Sequence, residues 1–285
     1  MNAKNYDTFD ISGKDNIAVK LLYNSLPGRL ILRLLVKPTA SKPLGAFMER
    51  RASKPFIRRF VKRNKINMEE YKDVKYRSFN DFFIREVKKE FRPFPDDVND
   101  VAAPCDGKLT AYPITNDNVF FIKNSTYDIH SILKDKALAD EFIGGTCLIF
   151  RLTPDDYHRY YYIDDGEIVS YKRIAGVLHT VRPISNKRYN VYTQNTREYT
   201  VLQTENYGKV VQMEVGALFV GRITNYATSG WFKRGDEKGM FEFGGSTVVM
   251  LFQKDKVLID DAIYMNTQQN KETIVRMGYK IGEKA

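Results

Sequence analysis

The texture of this chain changes near residue 95, and that change limits the folds open to it. From residue 101 onward it is a succession of short β-rich runs separated by Gly, Asn and Asp, at 108–112, 119–123, 146–152, 167–174, 198–202, 210–214, 219–223, 240–243 and 247–252. Runs of that length, rich in Val, Ile, Phe and Tyr and punctuated by turn formers, predict strands. Residues 1–92 read instead as helices, broken by turn signals at Leu26-Pro27-Gly28, Lys37-Pro38 and Lys42-Pro43. The last predicted helix starts at a Ser78 or Asn80 cap, buries Phe79, Phe82, Phe83 and Val87, and ends before Pro93 and Pro95. The expected fold class is α+β: a helical, basic region over 1–95, then a mainly antiparallel β domain over 96–285. Residues 256–285 are expected to close it with a strand and turn at Arg276-Met277-Gly278-Tyr279-Lys280-Ile281-Gly282.

Among the 285 residues are two cysteines, Cys105 and Cys147, and three histidines, His130, His158 and His179. That is too little material, at the wrong spacing, for a disulfide framework or a structural zinc site. A reducing, cytosolic setting and no metal are expected. The net charge of +10 is concentrated: residues 29–65 hold twelve Lys or Arg against one acid, Glu49. The same stretch interleaves apolar clusters, Leu30-Ile31-Leu32, Leu34-Leu35-Val36, Phe47-Met48, Phe56-Ile57 and Phe60-Val61. Basic and apolar residues at helical spacing suit an anionic membrane surface. They suit equally a solvated helix face covering the main domain. Nucleic acid is a third reading on charge alone, without a helix-turn-helix, finger or RNP-type motif behind it. The most apolar stretch, 21–36, is interrupted by Pro27, Gly28, Arg29 and Arg33, so any membrane contact is expected to be peripheral.

Within the strand-like run Phe241-Glu242-Phe243-Gly244-Gly245-Ser246-Thr247-Val248-Val249 sits a bare Gly-Gly-Ser turn. Glycines leave the preceding carbonyl unshielded and permit backbone conformations closed to other residues. The Ser246 hydroxyl can then attack the Gly245 carbonyl, converting amide to ester. Loss of that ester oxygen from the serine side chain leaves dehydroalanine, which hydrolyses to a pyruvoyl group heading residues 246–285. A ketone of this kind is an electron sink for amino-acid chemistry. A Gly-Gly-Ser tripeptide is more often simply a turn.

Other candidates for chemistry are Asp106, in the turn Ala103-Pro104-Cys105-Asp106-Gly107, and His158, in the polar knot Thr153-Pro154-Asp155-Asp156-Tyr157-His158-Arg159. Alone, Asp106 reads as a turn aspartate. Flanking carboxylates and an arginine are what tuning of the His158 pKa requires. His179 alternates as a strand residue does and reads as a packed side chain.

Taken in order, Phe79-Asn80-Asp81-Phe82-Phe83, Arg92-Pro93, Asp106-Gly107, Asp156-Tyr157-His158-Arg159, Val215-Gly216-Ala217 with Val220-Gly221, and Phe243-Gly244-Gly245-Ser246-Thr247 resemble the pyruvoyl-dependent phosphatidylserine decarboxylases, in the branch with a Gly-Gly-Ser cleavage site. The resemblance runs from about residue 70 to the end of the chain. It implies a proenzyme that cuts itself between Gly245 and Ser246 into a β chain, 1–245, and an α chain, 246–285. The pyruvoyl cofactor comes from Ser246, with Gly244 as supporting residue, and phosphatidylserine is decarboxylated through a Schiff base. Implied partners are phosphatidylserine in an anionic membrane and the two pieces of the chain as a heterodimer, with a homodimer compatible and nucleic acid not among them. The implied location is the cytoplasmic face of the cell membrane.

One departure stands out. The family continues Asp-Tyr-His-Arg with a second histidine that joins the aspartate and serine in the relay for self-cleavage, and here that position is Tyr161. A phenol with a pKa of about 10 is a poor general base at neutral pH. Asp106 is expected to serve maturation, and His158 to manage the substrate carboxylate or the returning proton during decarboxylation. With Asp106 and Ser246 matching but Tyr161 in the relay position, maturation relies on His158, is slow, or fails; His179 is the next candidate base. An uncleaved relative that only binds anionic lipid is the rival reading.

Overall fold

A computed structural model of the chain describes residues 6–10, 17–122, 125–186, 189–218, 222–243 and 246–285. The expected strand at 219–223 falls partly outside them, as do Val220, Gly221, Gly244 and Gly245.

Among the described residues, the short strand Thr8–Asp10 is followed by four helices: α1 (Ile17–Asn24), α2 (Leu26–Leu35), α3 (Pro38–Met48) and α4 (Pro55–Asn64). Ser25 caps α2, its hydroxyl accepting from the Gly28 N–H, and Pro27 sits in the first turn where its missing N–H costs nothing. Gly28 is required by close approach, because a Cβ there would lie 2.2 Å from the Leu21 carbonyl oxygen of α1. Tyr23, Leu32 and Val36 bury one face of this hairpin against Ile184, Val177 and Leu218. The other face of α2 stays open, with Leu26, Leu30, Ile31 and Leu34 between 53% and 73% exposed.

The body is a nine-stranded antiparallel sheet, in the spatial order Thr8–Asp10, Lys271–Val275, Gly107–Pro113, Thr146–Leu152, Ser246–Phe252, Gly208–Val215, Arg197–Thr204, Gly166–Ile174, Gly230–Phe232. Both of its faces are covered. Alternate residues of its central strands feed different cores: Leu148, Phe150, Val248 and Met250 pack on one side, Cys147, Ile149, Val249 and Leu251 on the other. A sheet buried twice over reads as unbroken apolar runs, which is why these strands were visible in the sequence. Smaller sheets, Ile223–Asn225 with Glu237–Phe241 and Arg159–Tyr161, and Val257–Ile259 with Lys280–Lys284 and Asp100–Ala102, pair around it.

Three expectations need correction. The helix begun at Ser78 is α5 (Phe79–Phe83) and stops there: the Ser78 hydroxyl caps it, Ile84 ends it, and Val87 pairs with Tyr71 in a bridge. Thr8–Asp10 in the supposedly helical region is a strand on the edge of the main sheet. The closing segment contains a helix, Asp261–Gln268, as well as strands.

Candidate active site

Ser246 opens the middle strand of the main sheet, paired with Leu152 on one side while Thr247 pairs with Val215 on the other. The strand fixes its backbone, and parity directs its side chain to the same face as Val248 and Met250. The hydroxyl is fully buried and lies 3.3 Å from Nδ1 of His158, itself fully buried. Nε2 of His158 lies 3.0 Å from the Thr153 carbonyl oxygen. A carbonyl can only accept, so Nε2 carries the hydrogen and Nδ1 presents its lone pair to the Ser246 hydroxyl. The Phe83 ring covers the imidazole at 4.2 Å between centroids, and the His158 carbonyl takes the Phe241 N–H.

Burial pushes the His158 pKa down to about 3, with the Arg85 guanidinium adding to the effect. Desolvation disfavours the charged imidazolium. The carboxylates next to His158 in sequence do not tune it. Asp156 binds the Lys108 ammonium at 2.7 Å and also takes the Thr153 N–H and hydroxyl, while Arg159 pairs with Glu237. Asp156 acts instead by shaping the turn that aims the Thr153 carbonyl at His158.

Asp106 is engaged elsewhere. Its carboxylate forms a two-pronged pair with Arg92, at 2.9 and 2.8 Å, and accepts the Met277 N–H. Arg92 in turn holds Glu70. Asp106 lines a cavity of about 760 Å³ with Arg63, Lys65, Lys108 and Arg276; neither Ser246 nor His158 is among its hydrogen-bond partners. Tyr161 is likewise turned away. Its hydroxyl meets those of Tyr157, at 2.9 Å, and the Glu237 carboxylate, at 3.3 Å, and burial holds its pKa above the ordinary phenol range. His179 belongs to the seat of the N-terminal helices: Tyr23 of α1 contacts its Nδ1, Tyr189 stacks on it at 4.0 Å, and burial lowers its pKa to about 4. So the structure joins Ser246 to His158 and leaves Asp106, Tyr161 and His179 in separate settings. Gly244 and Gly245 lie outside the described residues.

Two contributors were missed by sequence reasoning. Arg85, 2% exposed, has no carboxylate partner among the described residues; it donates to the carbonyls of Asp155 and Asp156 and to the Tyr71 hydroxyl, and its guanidinium lies over the Tyr71 and Phe82 rings. It clamps the turn between Thr153 and His158. Asn80 accepts the Phe243 N–H at 3.1 Å and donates to Glu242, while Phe79 and Phe83 pack on the Phe243 ring at 5.2 and 5.5 Å. Helix α5 thus fixes the chain immediately before Gly244-Gly245-Ser246. The buried arginine had no signal beyond its place in a strongly apolar segment.

The arrangement can deprotonate a serine in a dry setting. Ser246 also fits as the precursor of a ketone, since its hydroxyl already faces an acceptor lone pair. A profile of the phosphatidylserine decarboxylase family matches residues 79–283. The chain is 46% identical over 269 residues to phosphatidylserine decarboxylase proenzyme 2 of Clostridium acetobutylicum, covering 94% of this chain and 92% of that protein. It is 39% identical over 287 residues to the phosphatidylserine decarboxylase proenzyme of Clostridium novyi, covering 99% and 97%. The corresponding proenzyme of Fusobacterium nucleatum is 41% identical over 271 residues, covering 93% and 90%.

Proposed function

Because the chain belongs to the phosphatidylserine decarboxylase family of carboxy-lyases, we propose that it is a proenzyme that cuts itself between Gly245 and Ser246 and then decarboxylates phosphatidylserine to phosphatidylethanolamine. The observation that carries the cleavage step is the 3.3 Å contact between the Ser246 hydroxyl and an unprotonated His158 Nδ1. His158 takes the hydroxyl proton as Ser246 Oγ bonds to the Gly245 carbonyl carbon, and the Gly245–Ser246 amide bond breaks with that proton passing to the Ser246 nitrogen. Removal of the Ser246 α-proton then expels the Gly245 carboxylate. The dehydroalanine left behind takes up water and loses ammonia. A pyruvoyl group at this position supplies a ketone that accepts the electrons left when carbon dioxide departs.

Thr153 fixes the His158 tautomer, Phe83 excludes water from the ring, and Asp156 and Arg85 hold the turn on which Thr153 sits. Asp106, bound to Arg92 and Met277, acts as a structural tie between the Arg92 corner and the last strands. The apolar, basic outer face of α2 supports peripheral attachment to an anionic membrane; no described helix is long and apolar enough to cross one. Intact mass of the purified protein tests this function. Two chains are expected, 1–245 and 246–285, the second lighter by one ammonia than a chain beginning with serine. A single uncut chain after long incubation at neutral pH overturns the reading and favours a lipid-binding protein without catalysis.

A further inference from the structure

An open apolar groove of about 220 Å³ lies where α3 and α4 meet the active-site wall. Met48, Phe56 and Phe60 line one side, Phe79 and Phe243 the other, and Arg59 and Arg63 of α4 stand at its rim. Phe56 is 48% exposed although it lies edge-on to Phe47. Arg59 and Arg63, one helical turn apart, are exposed, and among the described residues neither has a carboxylate or hydrogen-bond partner. Arg63 also lines the cationic cavity on the other flank of α4.

The groove shares a wall with the site already described. Phe243 on its wall immediately precedes Gly244-Gly245-Ser246, Phe243 touches Phe83, and Phe83 covers His158. An occupant therefore needs an apolar part for five hydrophobic side chains, an anionic group for two free guanidiniums, and a reactive end directed past Phe243. A glycerophospholipid has all three.

We propose that this groove is the binding site for an acyl chain of the phospholipid substrate, with Arg59 and Arg63 holding its phosphate. The assignment rests on the phosphatidylserine reading above. A second protein satisfies the apolar wall but gives no reason for the groove to end at the residue before the cleavage turn.

Two soluble substrates isolate the groove from membrane binding: dihexanoyl phosphatidylserine below its micellar concentration, and glycerophosphoserine, which lacks the chains. In the cleaved enzyme, Met48→Trp fills the groove and is expected to raise KM for the dihexanoyl substrate about 10-fold, the loss for roughly two methylenes denied burial. Glycerophosphoserine turnover is expected to stay unchanged. Phe56→Ser, an exposed substitution that opens the groove without overfilling it, is expected to shift KM in the same direction and with the same selectivity. Arg59→Gln with Arg63→Gln is expected to raise KM for both substrates, since both carry the phosphate. Equal effects of Met48→Trp and Phe56→Ser on the two substrates, or none on either, overturn the groove assignment while leaving the decarboxylase reading intact. A change of sedimentation mass in Phe56→Ser with KM unmoved assigns the groove to a second copy and overturns it also. A parent enzyme that releases carbon dioxide from neither substrate overturns the decarboxylase reading and the groove with it.

Discussion

Both ring nitrogens of His158 are committed, one to the Thr153 carbonyl and one to the Ser246 hydroxyl, and this fixes the pH behaviour expected of self-cleavage. An ordinary histidine loses its free lone pair as pH falls through about 6.5. His158, with its pKa pushed down to about 3, keeps that lone pair in acid. The cleavage rate is therefore expected to be nearly flat from pH 8 to pH 5, followed as appearance of the 246–285 fragment; a tenfold drop over that span would show the base to be a different, normally titrating group. A positioned base contributes on the order of 10²- to 10⁴-fold, so His158→Ala is expected to slow cleavage at least about 100-fold. Tyr161→Phe is expected to leave it unchanged, because that hydroxyl serves Tyr157 and Glu237. Removing the Arg85 clamp by Arg85→Met frees the Asp155 and Asp156 carbonyls and is expected to slow cleavage without abolishing it, with Arg85→Lys restoring part of the rate. Ser246 and His158 were both legible as candidates from their local sequence. Their pairing was not, since it depends on a strand and a turn 88 residues apart in sequence converging.

At the level of elements, α5 and the strand Glu237–Phe241 carry the support. Asn80→Ala removes the acceptor for the Phe243 N–H, and cleavage is expected to slow about tenfold with little change in melting temperature, as the segment before Ser246 loses its tether. On the same side of the sheet, Lys238 and Glu214, both with no exposed surface, form an ion pair at 2.9 Å that Asn225 completes. Removing one partner leaves the other charge buried and uncompensated, at a cost of about 3–5 kcal/mol. Lys238→Met is expected to destabilise the fold by that amount in urea unfolding, and joint replacement with Glu214→Leu to recover most of it. Strands such as Thr146–Leu152 and Ser246–Phe252 could be read to within a residue, because burial on both faces makes them continuous apolar runs. Asp261–Gln268 could not: of its residues only Ile263 is buried, so no apolar stripe marks it as a helix. The early end of α5 was hidden as well, because Arg85 and Val87 turn toward Asp155 and Tyr71 rather than continuing a helical face.

Across the whole molecule, two buried histidines make acid the weak direction. His158 at about 3 and His179 at about 4 both lie below the ordinary 6.5, so the unfolded chain takes up protons first as pH falls. Their contribution is complete above about pH 6.5 and declines below it, by up to about 1.4 kcal/mol per pH unit for each histidine. Urea midpoints are expected to fall between pH 7 and pH 5, and a midpoint that rises would contradict both assignments. The proposed peripheral attachment is tested by Leu30→Ser with Leu34→Ser, which strips the exposed face of α2 while leaving Leu32 and Val36 in place. Binding to anionic vesicles is expected to weaken at least about tenfold. The mainly antiparallel β part was plain in the sequence, whereas the return of Thr8–Asp10 to pair with Lys271–Val275 was not, as a three-residue strand carries almost no periodicity. That long-range pairing joins the placement of Ser246–Phe252 at the centre of the sheet in one consequence. After a cut before Ser246, the shorter piece supplies a middle strand zipped on both sides to the longer piece, and its later strands are laced to Gly107–Pro113 and Asp100–Ala102. The two products are therefore partners for life: mixing mature enzyme with an isotopically heavy preparation should yield no hybrid molecules unless the fold itself is first undone.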